Sequence, residues 1–157
     1  MAGRYAERTE VPSGRSRDEI ERTLQRYGAT AFAYGWENGA ATVMFEIGTP
    51  RGVRRIRFRL AMPDRQAREF TETPTGRARS ASAAEQEFDR ATRQRWRALS
   101  LVIKAKLEAV EAGISTVEDE FLAQICLPDG STVGEWAADQ LAVTYERGAM
   151  PALMPGG

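Results

Sequence analysis

The sequence predicts an α+β domain: a three-stranded antiparallel β-meander with helices packed on one face, in the order α-β-β-β-α-α-α. Three observations carry this. Asn38-Gly39 lies between two alternating runs, "TAFAYGWE" and "AATVMFEI", and that dipeptide between alternating runs is the strongest short-range hairpin signal. "VRRIRFRL" at 53–60 repeats the alternation after a turn around "GTPRG". Residues 83–112 then change period, with apolar side chains at three- and four-residue steps as on one face of a helix.

The elements follow in order. Ser16 with Glu19 three residues on forms a capping box. Ile20, Leu24 and Tyr27 supply an apolar stripe and Gly28 a stop, so a first helix is expected over 17–27. In the hairpin a two-residue loop pairs Glu37 with Ala40, and therefore Trp36 with Ala41, Tyr34 with Val43 and Phe32 with Phe45. If Ile47 pairs near Arg54, Phe45 meets Ile56 and Val43 meets Phe58. Side-chain alternation then gathers Phe32, Tyr34, Trp36, Val43, Phe45, Ile47, Ile56, Phe58 and Leu60 on one face. The other face takes Thr42, Met44, Glu46 and the arginines Arg55, Arg57 and Arg59.

Residues 63–84, "PDRQAREFTETPTGRARSASAA", carry Pro, Gly and Ser punctuation and are expected to form a long loop, mobile or functional. The long helix over 83–112 points Phe88, Thr92, Trp96, Leu99, Ile103, Leu107 and Val110 at the core, and Gly113 stops it. Ser115 with Glu118 is expected to cap a short helix. Asp129-Gly130 turns the chain, and Thr132 with Glu135 forms a capping box for a last helix over 133–147, stopped by Gly148. Trp96 and Trp136 fall at helical spacing with other apolar residues and are expected in the core. One domain over 16–148 is anticipated, with a mobile segment at 1–15 and a tail at 149–157.

Composition narrows the chemistry. The 157 residues are 42% hydrophobic and 28% charged, which suits a single globular domain. The chain contains no histidine and one cysteine, Cys126. Ser-His and Cys-His pairs, histidine metal sites and a structural zinc site within one chain are therefore ruled out. The lone cysteine fits a reducing cytoplasm. No apolar run reaches the roughly 18 residues of a membrane span, and no signal peptide opens the chain. No Walker loop, GxGxxG or GxSxG motif is present. The expectation is a protein that is not an enzyme, with no cofactor, no metal and no membrane partner.

Charge is segregated, although Lys+Arg and Asp+Glu balance at 22 each. Residues 1–107 carry 21 Lys+Arg against 13 Asp+Glu, a balance of +8; residues 108–157 carry one against nine, a balance of −8. Two readings stand side by side. A polyanion partner would use the basic part; alternatively the acidic end folds back on the basic one, or binds it in a neighbouring subunit. The polyanion reading places phosphate contacts on Arg55, Arg57 and Arg59 of the third strand, on Arg77 and Arg79 of the loop, and on Arg90, Arg93 and Arg97 of the long helix. Its bland counterpart for the strand is a solvated face whose charges guard against edge pairing. Glu118, Asp119 and Glu120 sit on adjacent helical positions, diverge, and make a favourable first turn rather than a metal site.

The stretches "SRDEIERTLQRYGATAFAYGWE" and "RQRWRALSLVIKAKLEAVEAGISTVEDEFLAQICLPDGSTVGEW" resemble a family of short proteins encoded by bacteriophages and mobile elements of high-GC bacteria. The resemblance covers nearly the whole chain and brings no activity or site residue with it. It implies the cytoplasm of a bacterial host and a phage-related role in DNA replication, recombination or interference with host defence. The function expected is thus nucleic-acid binding through the phosphate backbone. The alternative is a protein-binding module, such as an inhibitor of a host protein, or a homo-oligomer.

Overall fold

The computed structural model describes residues 14–150. Most of the expected mobile N-terminal segment and of the C-terminal tail lies outside the described residues. Helix α1 spans Gly14–Arg26, and strands β1 (Ala31–Glu37), β2 (Ala40–Thr49) and β3 (Gly52–Ala61) follow. A one-turn helix α2 (Arg68–Thr71) precedes the long α3 (Ala81–Glu111). The chain closes with α4 (Val117–Glu120), a 3₁₀ turn at Leu122–Gln124, and α5 (Val133–Arg147). The architecture is α+β, with a sheet of order β1-β2-β3, antiparallel throughout.

The meander has the register its sequence dictates. Phe32 pairs with Phe45, Tyr34 with Val43 and Trp36 with Ala41; Phe45 pairs with Ile56, Val43 with Phe58 and Ile47 with Arg54. Asn38 and Gly39 both take positive φ, 50° and 73°, the geometry of a type I′ turn, whose twist matches the strands it joins. Val43, Phe45, Ile47, Ile56 and Phe58 are buried against Ile20 and Leu24 of α1 and Trp96, Leu99, Ile103 and Leu107 of α3. Phe121 completes this core, fully buried, with its ring edge-on to Phe45 at 5.7 Å and to Phe58 at 6.0 Å. Phe32, Tyr34, Trp36 and Leu60 are only half-buried and rim the core. For the first three, the cause is that β1 is an edge strand.

Four local expectations need correction. The first helix begins at Gly14, so Ser16 lies inside its first turn, buried, and not at the cap. Thr116, not Ser115, caps α4: its hydroxyl accepts from the Asp119 N–H at 3.1 Å. The stretch 63–84 is organised rather than a free loop. Asp64 Oδ1 accepts from the Gln66 N–H at 2.9 Å, Phe70 is buried edge-on to Phe88, and Glu72 bridges Ala78. Finally, Trp96 is buried but Trp136 is 64% exposed. No residue of α5 is buried, because that helix meets the body only through its first turns. There Gly134 lies so close to the 3₁₀ turn that a Cβ would stand 2.9 Å from the Ala123 carbonyl oxygen.

Candidate functional site

The polar face of the sheet carries the three alternating arginines, and most of their charge is already answered. Arg55 donates to Glu46 Oε1 from Nη2 at 2.7 Å and from Nε at 3.1 Å. That hydrogen bond and the Glu46 charge raise the Arg55 pKa further. Arg57 holds Glu135 with Nη2, at 2.9 and 3.0 Å to the two carboxylate oxygens, and donates from Nη1 to the Gly130 carbonyl at 2.9 Å. Glu135 also accepts from the Thr132 N–H at 2.9 Å, closing the expected capping box of α5. Its carboxyl is held below the usual range, first by that N–H and then by Arg57 and Arg59. Arg59 makes no ion pair among the described residues. It lines a hollow of about 350 Å³ with Arg57, Glu37 and Glu135. Across this face, Glu37, Glu46 and Glu135 balance the three arginines.

The loop arginines divide in the same way. Arg79 is a brace: its Nε donates to the Glu72 carbonyl at 3.0 Å and its Nη1 lies 3.6 Å from Glu87. Arg77 is exposed, and its main chain closes the turn with Thr73.

A second surface has the opposite character. Between the first turn of α1 and the middle of α3 runs a groove of about 540 Å³, lined by Arg15, Ser16, Glu19, Arg90, Arg93, Gln94, Arg97 and Leu101. Arg90, Arg93 and Arg97 share one face of α3 because they step by three and four residues. Arg90 has an ion pair with Glu87 at 3.3 Å. Arg15, Arg93 and Arg97 have no carboxylate within ion-pair distance among the described residues. Four arginines thus face one lining carboxylate, Glu19. Helices α1 and α3 cover the apolar face of the sheet, so this groove and the arginine strand open to opposite sides of it. The eight arginines singled out from sequence therefore form no single surface.

Arg15 is the residue that sequence reasoning missed. It fell in the segment expected to be mobile, yet its position four residues before Glu19 and five before Ile20 already places it on the exposed face of an extended α1. The acidic end partly folds back on the basic part. Glu118 lies 3.6 Å from Arg54 and accepts from the Thr49 hydroxyl at 2.9 Å, Glu120 lies 3.7 Å from Lys106, and Glu135 holds Arg57. Cys126, beside Arg55 and Arg57, is a partly buried thiol whose pKa burial pushes up, the opposite of a reactive thiolate. Among the described residues no group of His, Cys, Asp and Glu could hold a metal ion, and no helix is long and apolar enough to cross a membrane. Compared with protein-family models, curated proteins and solved structures, the chain matches none.

Proposed function

We propose that this protein binds nucleic acid through the phosphate backbone, without catalysis, as an accessory in phage DNA replication or recombination. The observation that carries the reading is the α1–α3 groove, where Arg15, Arg93 and Arg97 face solvent with no carboxylate partner among the described residues. Guanidinium groups left uncompensated in a shared concavity attract a polyanion, and phosphate contact supplies the bulk of sequence-independent affinity. The sheet arginines contribute less, because Arg55 and Arg57 are already paired. Among the described residues no aromatic ring lines the groove. Binding is then electrostatic and sequence-tolerant rather than built on base stacking.

The test is a fluorescence anisotropy titration with single-stranded and duplex DNA at two salt concentrations. Arg93→Glu with Arg97→Glu abolishes binding if the reading is right; unchanged binding by that variant, or none by the wild type at low salt, sinks it. A second reading, a protein-binding module acting on a host or defence protein, draws support from α5. Its Trp136, Leu141, Val143 and Tyr145 are uncovered, with Tyr145 84% exposed.

A further inference from the structure

Helix α5 is anchored at one end only. The Arg57–Glu135 pair and the contact of Gly134 with Ala123 fix its first turn. From Gln140 onward every residue is exposed except Thr144, which is half-buried. An isolated helix of 15 residues is marginal in water, and this one leaves Trp136, Leu141 and Val143 without packing. It also carries two acids, Asp139 and Glu146, that have no ion pair among the described residues. They stand seven residues apart, on one face, and Val143 lies between them.

The α1–α3 groove is a counterpart in both charge and spacing. Arg90 and Arg97 are also seven residues apart on one face, with Arg93 between them. Two helices laid side by side would bring both ladders into register, since seven residues rise about 10 Å in each. Leu101 ends the groove, 59% exposed, and offers an apolar seat for Val143 or Trp136. The α5 of the same chain cannot occupy it. That helix is tethered at the β3 edge, where the Cys126 N–H donates to the Arg55 carbonyl and Glu135 holds Arg57, whereas the groove opens on the far side of the sheet.

We propose that α5 of one copy docks its Asp139–Glu146 face into the arginine groove of a second copy, making the protein a salt-sensitive self-assembling oligomer. The contact joins two different surfaces of the chain, so it either closes reciprocally into a pair or continues from copy to copy. It uses the groove assigned above to nucleic acid and does not require that nucleic acid bind there.

The experiment is light scattering on the full chain, nuclease-treated, at about 50 mM and about 0.5 M salt, conditions between which surface charges become strongly screened. The expected result is a mass above the 17.4 kDa monomer at low salt and the monomer at high salt. Arg93→Glu with Arg97→Glu, and separately Asp139→Arg with Glu146→Arg, are each expected to be monomeric at both. Mixing the two variants restores association, since the reversed groove of one now fits the reversed helix of the other. All the replaced side chains are exposed, and circular dichroism of each variant confirms that it is folded. A wild type that is monomeric at low salt overturns the proposal, as does association that survives either reversal or a mixture that stays monomeric. If the wild type is monomeric while the groove variant still loses DNA binding, self-assembly fails and the nucleic-acid reading stands.

Discussion

The slope of affinity against salt counts the charges that meet phosphate, so the proposed groove site predicts its value. The three groove arginines without an ion pair among the described residues, Arg15, Arg93 and Arg97, correspond to a slope of log affinity on log salt of about −2.7 on duplex DNA and about −2.1 on single strands. Raising salt from about 50 to about 200 mM then weakens duplex binding roughly 40-fold and single-strand binding roughly 20-fold. Replacing Arg93 and Arg97 by Ala removes two of the three charges and cuts the slope to about −0.9 on duplex. Replacing Arg57 and Arg59 by Ala changes it by less than about one. Arg57 spends its charge on Glu135 at 2.9 Å, so only Arg59 has charge to release. Anisotropy titrations across four or five salt concentrations measure all three slopes. A slope that collapses on the sheet substitution and survives the groove substitution would refute the assignment of the site to the helices, whatever the absolute affinity.

Other outcomes follow from single contacts. Phe121→Ala empties a fully buried site between Phe45 and Phe58 and should lower stability by about 3–5 kcal/mol in denaturant unfolding; a loss under about 1 kcal/mol would mean that the core is packed otherwise. Gly134→Ala drives a methyl to 2.9 Å from a backbone oxygen, so it should cost about 1–3 kcal/mol and raise amide exchange in α5 while leaving the strands unaffected. Glu135 titrates below its unfolded value of about 4.3 when folded. Its contribution is therefore complete above that pH and fades as pH falls through the folded value. Contacts at the start of α5 should loosen as pH falls through that lowered folded value, and Glu135→Gln should remove that acid step. Tyr34, pushed up by burial and then by Glu21, should ionise above the ordinary tyrosine range in an alkaline absorbance titration, and Tyr34→Phe should delete that late phase.

What could be read in advance was local and periodic. Asn38-Gly39 fixes a two-residue turn, and alternation then leaves one register that puts every aromatic ring of the strands on one side; the pairing of Phe45 with both Phe32 and Ile56 follows. The stripe from Phe88 to Val110 needed only the helical period. Trp136 misled because periodicity reports that a helix has an apolar side, not that a neighbour exists to cover it. The loop at 63–84 misled because its order comes from single side chains, Phe70 on Phe88 and Arg79 on Glu72, which carry no period. The state of the arginines was the least legible. Whether a guanidinium is spent or available depends on carboxylates as far away as Glu135, 78 residues beyond Arg57, and no spacing rule reaches that far.

The bridge between Ile56 and Ile125 sets the order in which the molecule opens. The middle of the sheet's β3 edge is covered by a short stretch of chain: Ile125 bridges Ile56, the Cys126 N–H reaches the Arg55 carbonyl at 2.8 Å, and the Val133 N–H returns to the Ile125 carbonyl at 2.9 Å. Little apolar burial backs these bonds, since α5 contributes no buried residue. Residues 125–147 should therefore open ahead of the central strand, exchanging their amide protons before the β2 amides do. Each such excursion bares the centre of the β3 edge at Arg55 and Ile56, lengthening the unpaired edge that an extended chain can join. Closure of that edge, and with it resistance to strand-to-strand aggregation, is therefore maintained by the same short segment that holds α5 in place.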